Sequence, residues 1–200
     1  MQKVLCYGDS NTYGFNPING LRFSEDERWS GILKNNLTDR FEVIEKGLNN
    51  RTGFVDNPQG EKFSAKSNLP KTLQQIRNID LLILAVGTND LQTQYNIDFK
   101  TIELGLENLI LKVKNQNIKT IIISPVILRK EILKSFFGQL FDEVSIQKSV
   151  EVQKVFEKVA RKLDCEFFDC NKLVSPSTID GLHYTADAHK KIAENLIRLL

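Results

Sequence analysis

Five short runs of apolar residues recur along this chain of 200 residues, and longer amphipathic segments separate them. The runs cover residues 4–7, 41–44, 81–86, 120–124 and 166–168. Short unbroken runs of this kind are typical of strands that are buried on both faces of a parallel sheet. The pattern therefore predicts five parallel β-strands.

The segments between the runs carry apolar residues at spacings of three and four, the period of an amphipathic helix. The four stripes are Trp29, Ile32, Leu33 and Leu37; Ile102, Leu106, Leu109, Ile110 and Val113; Val152, Val155, Phe156, Val159 and Leu163; and Ala188, Ile192, Leu196 and Leu199. Thr185 precedes the last stripe and suits the N-cap position of a helix. Strands that alternate with helices predict a doubly wound α/β sheet, with helices on both faces, in one domain of residues 1–200.

Composition and charge exclude several classes of protein. Hydrophobic residues make up 41% and charged residues 26% of the chain, which is ordinary for a globular domain. The net charge is +2 and the basic residues are scattered, so no nucleic-acid partner is expected. The longest apolar run is far shorter than the ~20 residues of a membrane helix, and no signal-peptide pattern follows Met1. We therefore expect no membrane partner and a cytoplasmic location.

The three cysteines are Cys6, Cys165 and Cys170, and no two of them form a C-x-x-C pair. Their odd number and spacing argue against a disulfide framework and against a structural zinc site. Cys6 lies inside the first apolar run, where it is best interpreted as a small core residue. No metal site is predicted from these residues.

Two segments that follow predicted strands look like insertions. Residues 53–70 are rich in polar residues, proline and glycine, and predict a long loop. Residues 126–147 form the second insertion and contain a cluster of apolar side chains: Phe136, Phe137, Leu140 and Phe141. Both segments leave the carboxyl edge of the sheet, where lids and pocket walls lie.

Polar side chains follow four of the five predicted strands. Ser10 follows the first, Asn50 the second and Asn89 the third, while Asp180 and His183 lie in the loop after the fifth. In doubly wound sheets, ligands bind outside the carboxyl ends of the strands, at a point where the strand order reverses. We therefore expect these five residues to meet at one edge.

Ser10, His183 and Asp180 are the three parts of a nucleophilic triad. A serine hydroxyl becomes a strong nucleophile when an imidazole takes its proton, and a carboxylate then fixes the tautomer of that imidazole. Each residue also has a simpler interpretation. Ser10 is well placed to cap a helix, and the simpler interpretation of His183 is an incidental neighbour of a helix-start aspartate. His189, the other histidine, falls on the last apolar stripe and is predicted to lie at the edge of the core.

Asn89 and Asn50 are candidates for an oxyanion hole. The side-chain amide of Asn89 can donate to a developing oxyanion, and the backbone N–H of Asn50 can supply a second donor. Asn89 equally suits an Asx-turn that closes the third strand. The neighbouring Asp90 is predicted to be structural.

The chain resembles the GDSL-type esterases, also called SGNH hydrolases, in three blocks of sequence. Residues 8–11 read Gly-Asp-Ser-Asn, with Asn11 where the name-giving pattern has leucine; residues 87–90 read Gly-Thr-Asn-Asp, and residues 180–183 read Asp-Gly-Leu-His. A further block of the family pattern, which lies between the first two along the chain, departs from the family, because Asn50 stands where a glycine is usual. The resemblance implies a flavodoxin-like α/β/α sandwich with a central five-stranded parallel sheet.

The resemblance also implies roles for the site residues. Ser10 is the expected nucleophile, His183 its base and Asp180 the acid that orients the base. The expected oxyanion hole consists of the N–H groups of Ser10 and Asn50 and the side chain of Asn89. The expected substrate is a small-molecule carboxylic ester, and neither a metal nor an organic cofactor is required.

The similarity is greatest to the arylesterase branch, which includes acyltransferases and whose members tend to oligomerise. Its marks are residues 27–29, 43–45, 68–70 and 124–125. A homo-oligomer is therefore expected, as is acyl transfer if the pocket excludes water. The predicted pocket residues are Asn11, Phe136, Phe137 and Phe141, although the phenylalanines equally suit an oligomer contact.

Three alternatives remain at this stage. A carbohydrate acetylesterase uses the same triad in a more polar and open cleft. A non-catalytic flavodoxin-like protein would bind a nucleotide or a flavin at the same edge, but residues 8–14 lack the G-x-x-x-x-G-K-[ST] phosphate loop, and Asp9 would repel an anion. An inactive interaction protein with the esterase fold would require a distorted site.

Overall fold

A single parallel sheet of five strands forms the centre of the computed structural model, which describes residues 1–200. The strands are β1 (Gln2–Gly8), β2 (Phe41–Gly47), β3 (Leu81–Ala85), β4 (Lys119–Ile123) and β5 (Glu166–Phe168). Their order across the sheet is β2-β1-β3-β4-β5, and every neighbouring pair is parallel. All five predicted strands are present.

Six α-helices cover the two faces of the sheet. They are α1 (Ser10–Tyr13), α2 (Trp29–Asn36), α3 (Ala65–Gln75), α4 (Phe99–Lys114), α5 (Glu143–Lys162) and α6 (Ala186–Leu199). Helix α2 packs against α6, while α4 packs against both α3 and α5. The result is the predicted α/β/α sandwich. None of these helices combines the length and the apolar composition that crossing a membrane would require.

The core follows directly from the apolar runs and stripes. Residues Val4 to Tyr7 of β1 and Leu82 to Leu84 of β3 are completely buried, as expected for central strands with helices on both sides. The apolar stripes of the helices pack against these strands, and Trp29 and Phe156 are among the largest buried side chains. A connected core of 45 buried residues results.

The strand order reverses beside β1, which lies between β2 and β3. At the carboxyl end of β1, Gly8 pairs with Gly47 on one side and with Ala85 on the other. The segments that follow β1, β2 and β3 therefore emerge next to one another. This is the position at which open α/β sheets bind their ligands.

Gly8 allows the chain to turn sharply at this point. A Cβ atom on Gly8 would lie 2.0 Å from Oγ1 of Thr12 and 2.5 Å from the carbonyl oxygen of Ala85. Both separations are far below van der Waals contact, so a side chain here would push α1 away from the end of β1. The absence of a Cβ places Ser10 directly above the strand from which it emerges.

Two predicted insertions are shorter than the sequence suggested. The loop of residues 53–70 ends early, because α3 begins at Ala65 and continues through Pro70. Pro70 lacks an N–H and costs the helix a hydrogen bond, but Leu69 and Leu73 are buried on the same helix and offset that loss. Likewise, residues 126–147 end in α5, which starts at Glu143 with Asp142 as its N-cap.

Candidate active site

Ser10 is the first residue of α1 and lies at the carboxyl end of β1. The side chain of Asp9 caps this short helix by accepting a 3.0 Å hydrogen bond from the N–H of Asn11. Gly14 ends it in the left-handed conformation, with φ of 86°. Ser10 is therefore held by a capped turn rather than acting as the cap itself, and 7% of it remains exposed.

Asp180 organises the loop that carries His183. Its Oδ1 accepts hydrogen bonds of 3.0 Å from the N–H groups of both Leu182 and His183, which forms an Asx-turn. Its Oδ2 lies 2.7 Å from Nδ1 of His183. Burial alone would raise the pKa of Asp180, but the contact with His183 and the backbone N–H groups together hold it below the ordinary value. Asp180 is therefore a carboxylate at neutral pH.

Ser10 and His183 meet although 173 positions separate them in the sequence, with Ser10 Oγ 2.9 Å from Nε2 of His183. Because the carboxylate of Asp180 occupies Nδ1, the proton of the neutral imidazole belongs on Nδ1. Nε2 is then free to accept the hydroxyl proton of Ser10. The three predicted triad residues thus form one continuous line of hydrogen bonds.

The side chain of Asn11 contacts the loop that carries His183. Its Nδ2 donates to the carbonyl oxygen of Leu182 at 3.2 Å, and its Oδ1 accepts from the N–H of Tyr184 at 3.0 Å. Both polar ends of the side chain are therefore used on the backbone on either side of His183. Its side chain therefore holds two segments of the protein together, and its assignment to the substrate pocket stays a prediction.

Asn50 follows β2, Asn89 follows β3, and both side chains accept a hydrogen bond from Gln92. Nδ2 of Asn89 donates one hydrogen bond, 3.0 Å long, to the carbonyl oxygen of Arg51. Its second hydrogen has no partner within the protein. The backbone N–H groups of Ser10 and Asn50 likewise donate no hydrogen bond within the protein. Asn50 has a φ of 59°, a conformation in which asparagine is the best-tolerated residue after glycine.

Arg51 and Asp90 hold this part of the site in place. The guanidinium of Arg51 donates to the carbonyl oxygen of Gly8 at 2.6 Å and lies 4.0 Å above the ring of Tyr7. Asp90 accepts hydrogen bonds from the N–H groups of residues 53–55, at 2.5 to 3.2 Å. Asp90 is therefore structural, as predicted. The role of Arg51 is not visible in the sequence, because a lone arginine after a strand has no distinguishing pattern.

Two phenylalanines enclose the imidazole of His183. The ring of Phe137 lies 5.1 Å from that of His183, and its place in the substrate pocket stays a prediction. The ring of Phe15 is closer, at 4.2 Å and tilted by 35°. Phe15 was not predicted, although its position just after Gly14 on the turn that carries Ser10 is a usable signal. The two rings also touch each other edge to face, with centroids 5.9 Å apart.

The other predicted pocket phenylalanines lie elsewhere. Phe141 is buried in the hydrophobic core, where it serves packing, and its assignment to the pocket is wrong. Phe136 is 78% exposed and reaches His183 only through Phe137, whose ring it contacts at 5.6 Å. His189 is wholly buried rather than at the core's edge, and burial lowers its pKa to about 3, so it is neutral.

The comparisons with known proteins identify the family. Residues 6–191 match the model of the GDSL-like lipase/acylhydrolase family. The chain belongs to this family. The GDSL-like enzyme is therefore a carboxylic ester hydrolase. The match confirms the predicted family, fold and enzyme class. It favours catalysis over a nucleotide- or flavin-binding role.

Two solved structures illustrate the likeness. The native M. smegmatis aryl esterase is 31% identical to the GDSL-like enzyme, with a TM-score of 0.91, and the match covers 100% of this chain and 98% of that one. Est24, a carbohydrate acetylesterase from Sinorhizobium meliloti, is 27% identical with a TM-score of 0.91, and the match covers 100% of both chains. The comparison with curated proteins gives no match.

Proposed function

We propose that this GDSL-like enzyme hydrolyses small carboxylic esters through an acyl-enzyme on Ser10. The observation that carries the proposal is the line of hydrogen bonds from Asp180 Oδ2 to His183 Nδ1, at 2.7 Å, and from His183 Nε2 to Ser10 Oγ, at 2.9 Å. This is the arrangement in which an imidazole can take a hydroxyl proton while a carboxylate stabilises the resulting cation.

In the first half of the reaction, Ser10 Oγ attacks the ester carbonyl carbon and transfers its proton to Nε2 of His183. The carbonyl oxygen becomes an oxyanion, for which three donors are free: the N–H groups of Ser10 and Asn50 and the second hydrogen of Asn89 Nδ2. The tetrahedral intermediate then collapses. The bond to the leaving alcohol breaks, and Nε2 gives its proton to the departing oxygen.

In the second half, water attacks the acyl carbon of the serine ester and gives a proton to Nε2 of His183. The same oxyanion donors are used again. Collapse of this second intermediate releases the carboxylic acid and returns the proton to Ser10. The chemistry proceeds with the residues of the chain and water alone.

The aromatic rings beside His183 suggest which esters suit the site. Because Nε2 protonates the leaving oxygen, the alcohol part of the ester lies on the side of His183, where Phe15 and Phe137 are packed. Aromatic rings favour an apolar or aromatic alcohol in that position. The low exposure of Ser10, 7%, favours small esters. An aryl ester of a short acid is the substrate class that fits best.

Acyl transfer is the finer part of the proposal. We infer that Phe15 and Phe137 limit the access of water to the acyl-enzyme, so that a bound alcohol can compete with water as the attacking group. The product is then a new ester rather than an acid. Ester yield from nitrophenyl acetate in the presence of an added alcohol measures this activity, and its absence at every alcohol concentration would refute transfer.

A panel of nitrophenyl esters, with wild type and Ser10→Ala side by side, tests the hydrolytic function. We expect Ser10→Ala to lower kcat by about a thousandfold or more. Ser175→Ala is a matched control, because Ser175 is exposed and makes no hydrogen bond with a triad residue. An organophosphate adduct mapped to Ser10 would support the same assignment, whereas undiminished hydrolysis by Ser10→Ala would end it.

A carbohydrate acetylesterase is the second candidate. Two exposed carboxamides, Gln59 and Gln94, continue outward from the Asn50 side of the site, and carboxamides pair well with sugar hydroxyl groups. The similarity to a carbohydrate acetylesterase points in the same direction. Comparison of kcat/KM for nitrophenyl acetate and for acetylated sugars separates the two candidates.

A further inference from the structure

The side chain of Asn50 belongs to a hydrogen-bonded chain of carboxamides that reaches the candidate oxyanion hole. Its Oδ1 accepts a hydrogen bond of 2.8 Å from Nε2 of Gln92. Its Nδ2 donates to Oε1 of Gln59 at 2.5 Å. Glycine, the usual family residue at this position, has no group that could make either contact.

Gln92 joins the two asparagines of the site. Its Nε2 donates one hydrogen bond to Oδ1 of Asn50 and another, 3.1 Å long, to Oδ1 of Asn89. Its Oε1 accepts a hydrogen bond from Nε2 of Gln94 at 2.7 Å, so both polar atoms of the side chain have hydrogen-bond partners. Only 2% of Gln92 is exposed. The residue is therefore a buried bridge rather than a solvated surface amide.

The hydrogen bond from Gln92 determines the orientation of the side-chain amide of Asn89. Because Oδ1 of Asn89 is engaged by Gln92, Nδ2 must point to the opposite side. There it donates one hydrogen to Arg51 and leaves the other free. A flipped amide would set NH₂ of Asn89 against NH₂ of Gln92, and its oxygen against the carbonyl oxygen of Arg51. The donor function of Asn89 thus depends on Gln92.

The backbone of Asn50 is fixed by the same set of contacts. Its carbonyl oxygen accepts a 2.8 Å hydrogen bond from Nδ2 of Asn57, and its side chain is held on both sides. These contacts stabilise the left-handed conformation, with φ of 59°. The free N–H of Asn50 is therefore presented by a residue whose backbone and side chain are both anchored.

We propose that Gln92 and the side chain of Asn50 form a positioning pair that holds two oxyanion donors, Asn89 Nδ2 and the Asn50 N–H, in one fixed arrangement. The inference rests on the proposed esterase function. Neither carboxamide touches the reacting atoms; each acts through a donor that does. Transition states gain most from donors that are already oriented before the charge develops.

A double-mutant cycle on nitrophenyl acetate tests the proposal, with Gln92→Met, Asn50→Gly and the double variant. Gln92→Met keeps the length of the side chain but removes all its hydrogen bonds. Asn50→Gly restores the usual family residue and keeps both the N–H and the tolerance of positive φ. Gln153→Met is the matched control, because the carboxamide of Gln153 also has three hydrogen-bond partners, none of which is Asn50 or Asn89.

Active sites are counted in each preparation by the nitrophenol released when a nitrophenyl organophosphate reacts with Ser10. We expect Gln92→Met to lower kcat per counted site by about tenfold or more, with KM within about twofold. The inhibition constant of phenylboronic acid, which mimics the tetrahedral intermediate, should rise by the same factor. Asn50→Gly should behave similarly, and the double variant should be no worse than the poorer single variant. Gln153→Met should match wild type in kcat per counted site.

A purely structural role would give a different result. Gln92→Met would then yield fewer counted sites or a lower melting temperature, but a wild-type kcat per site, and the positioning proposal would be overturned. Losses that multiply independently in the double variant would also overturn it, because the two residues would not be acting as a pair. Failure of the esterase function itself looks different again: wild type would release no nitrophenol from either reagent.

Discussion

The carboxamide of Asn11 accepts a hydrogen bond of 3.0 Å from the backbone N–H of Tyr184, across 173 positions of sequence. Each residue directly follows a member of the triad, since Asn11 comes after Ser10 and Tyr184 after His183. The same side chain donates to Leu182 at 3.2 Å. Asn11 therefore fastens the segment of the nucleophile to both sides of the base.

Replacement of Asn11 by leucine, the residue of the name-giving family pattern, should damage this connection. The substitution leaves the N–H of Tyr184 and the carbonyl of Leu182 buried without partners, so unfolding free energy should fall by about 1–3 kcal/mol. Loss of alignment between His183 and Ser10 should lower kcat by about 10- to 100-fold. Urea unfolding and nitrophenyl acetate turnover measure the two effects.

Asn171→Leu is a matched control for this experiment. Asn171 also pairs its carboxamide with the backbone, accepting from Ile127 at 2.9 Å and donating to Pro125 at 2.9 Å, but it does not contact the triad. It should lose stability while keeping kcat. If Asn11→Leu also keeps its kcat, the connection serves the fold and not the alignment of the triad.

Asp180→Asn should separate the orientation of His183 from the folding of its loop. An asparagine can still accept from the N–H groups of Leu182 and His183 through its oxygen, so the loop should remain intact. Its NH₂ group would face Nδ1 of His183 and favour the tautomer with the proton on Nε2. That tautomer cannot accept a proton from Ser10, and kcat should fall by about 10³- to 10⁴-fold at neutral pH. An unchanged melting temperature with this loss is the expected result; a loss below tenfold would contradict the assignment of Asp180.

Phe137→Ala should shift the balance between transfer and hydrolysis. The ring of Phe137 contacts His183, and its removal opens the neighbourhood of the acyl-enzyme to water. The ratio of new ester to acid, measured with nitrophenyl acetate and an added alcohol, should fall severalfold. Phe136→Ala is the control, because Phe136 is largely exposed and does not contact His183. Equal ratios in the two variants would show that Phe137 does not exclude water.

The sequence was sufficient to predict the sheet because the strands are short and buried on both faces. Unbroken runs such as residues 81–86 have few alternatives when helical stripes lie on either side. Helix α3 was missed for an equally physical reason. Pro70 and the polar residues around it are typical of a loop, and only tertiary burial of Leu69 and Leu73 makes the helix favourable.

The candidate site shows the same division between local and tertiary information. Ser10, His183 and Asp180 could be proposed together because they lie in short blocks that resemble one family, Ser10 at a strand end and Asp180 three residues before His183. Phe141 was misassigned, and the contacts of Asn11 with the loop of His183 were missed, because a residue type near the site does not reveal which way its side chain points. Gln92 was overlooked because its importance comes entirely from two partners, neither of which its position in the sequence suggests.

Asp9, beside the nucleophile, is a buried carboxyl whose ionisation is unfavourable. Burial raises its pKa from the ordinary value of 3.8 to about 7, although the N–H of Asn11 and the charge of Arg51 act in the opposite direction. Between these two pH values the folded protein holds a proton that the unfolded chain has released. The free energy of unfolding therefore falls as the pH rises through this range, because the unfolded state then binds fewer protons.

Asp9→Asn should remove this decline in the free energy of unfolding at rising pH. Asparagine is also a good N-cap and can still accept the hydrogen bond from Asn11, so the variant should be close to wild type near pH 4. Near pH 8 it should be more stable than wild type, by on the order of 1 kcal/mol or more, since a pKa difference of one unit corresponds to about 1.4 kcal/mol. Urea unfolding between pH 4 and 8.5 gives the difference in unfolding free energy between variant and wild type as a function of pH. The contribution of Asp90, whose pKa is also raised, largely cancels in this difference curve because both proteins contain it.

Asp98→Asn supplies a control of opposite sign. Asp98 caps α4 and accepts a 2.6 Å hydrogen bond from the N–H of Thr101, which lowers its pKa. Its carboxylate therefore stabilises the folded state at neutral pH, and this contribution is lost as the pH falls through the lowered pKa. Asp98→Asn should be less stable than wild type near pH 8 and closer to it in acid. If the difference curves of both variants slope in the same direction, or that of Asp9→Asn is flat, Asp9 ionises as an ordinary carboxyl and the burial argument is wrong.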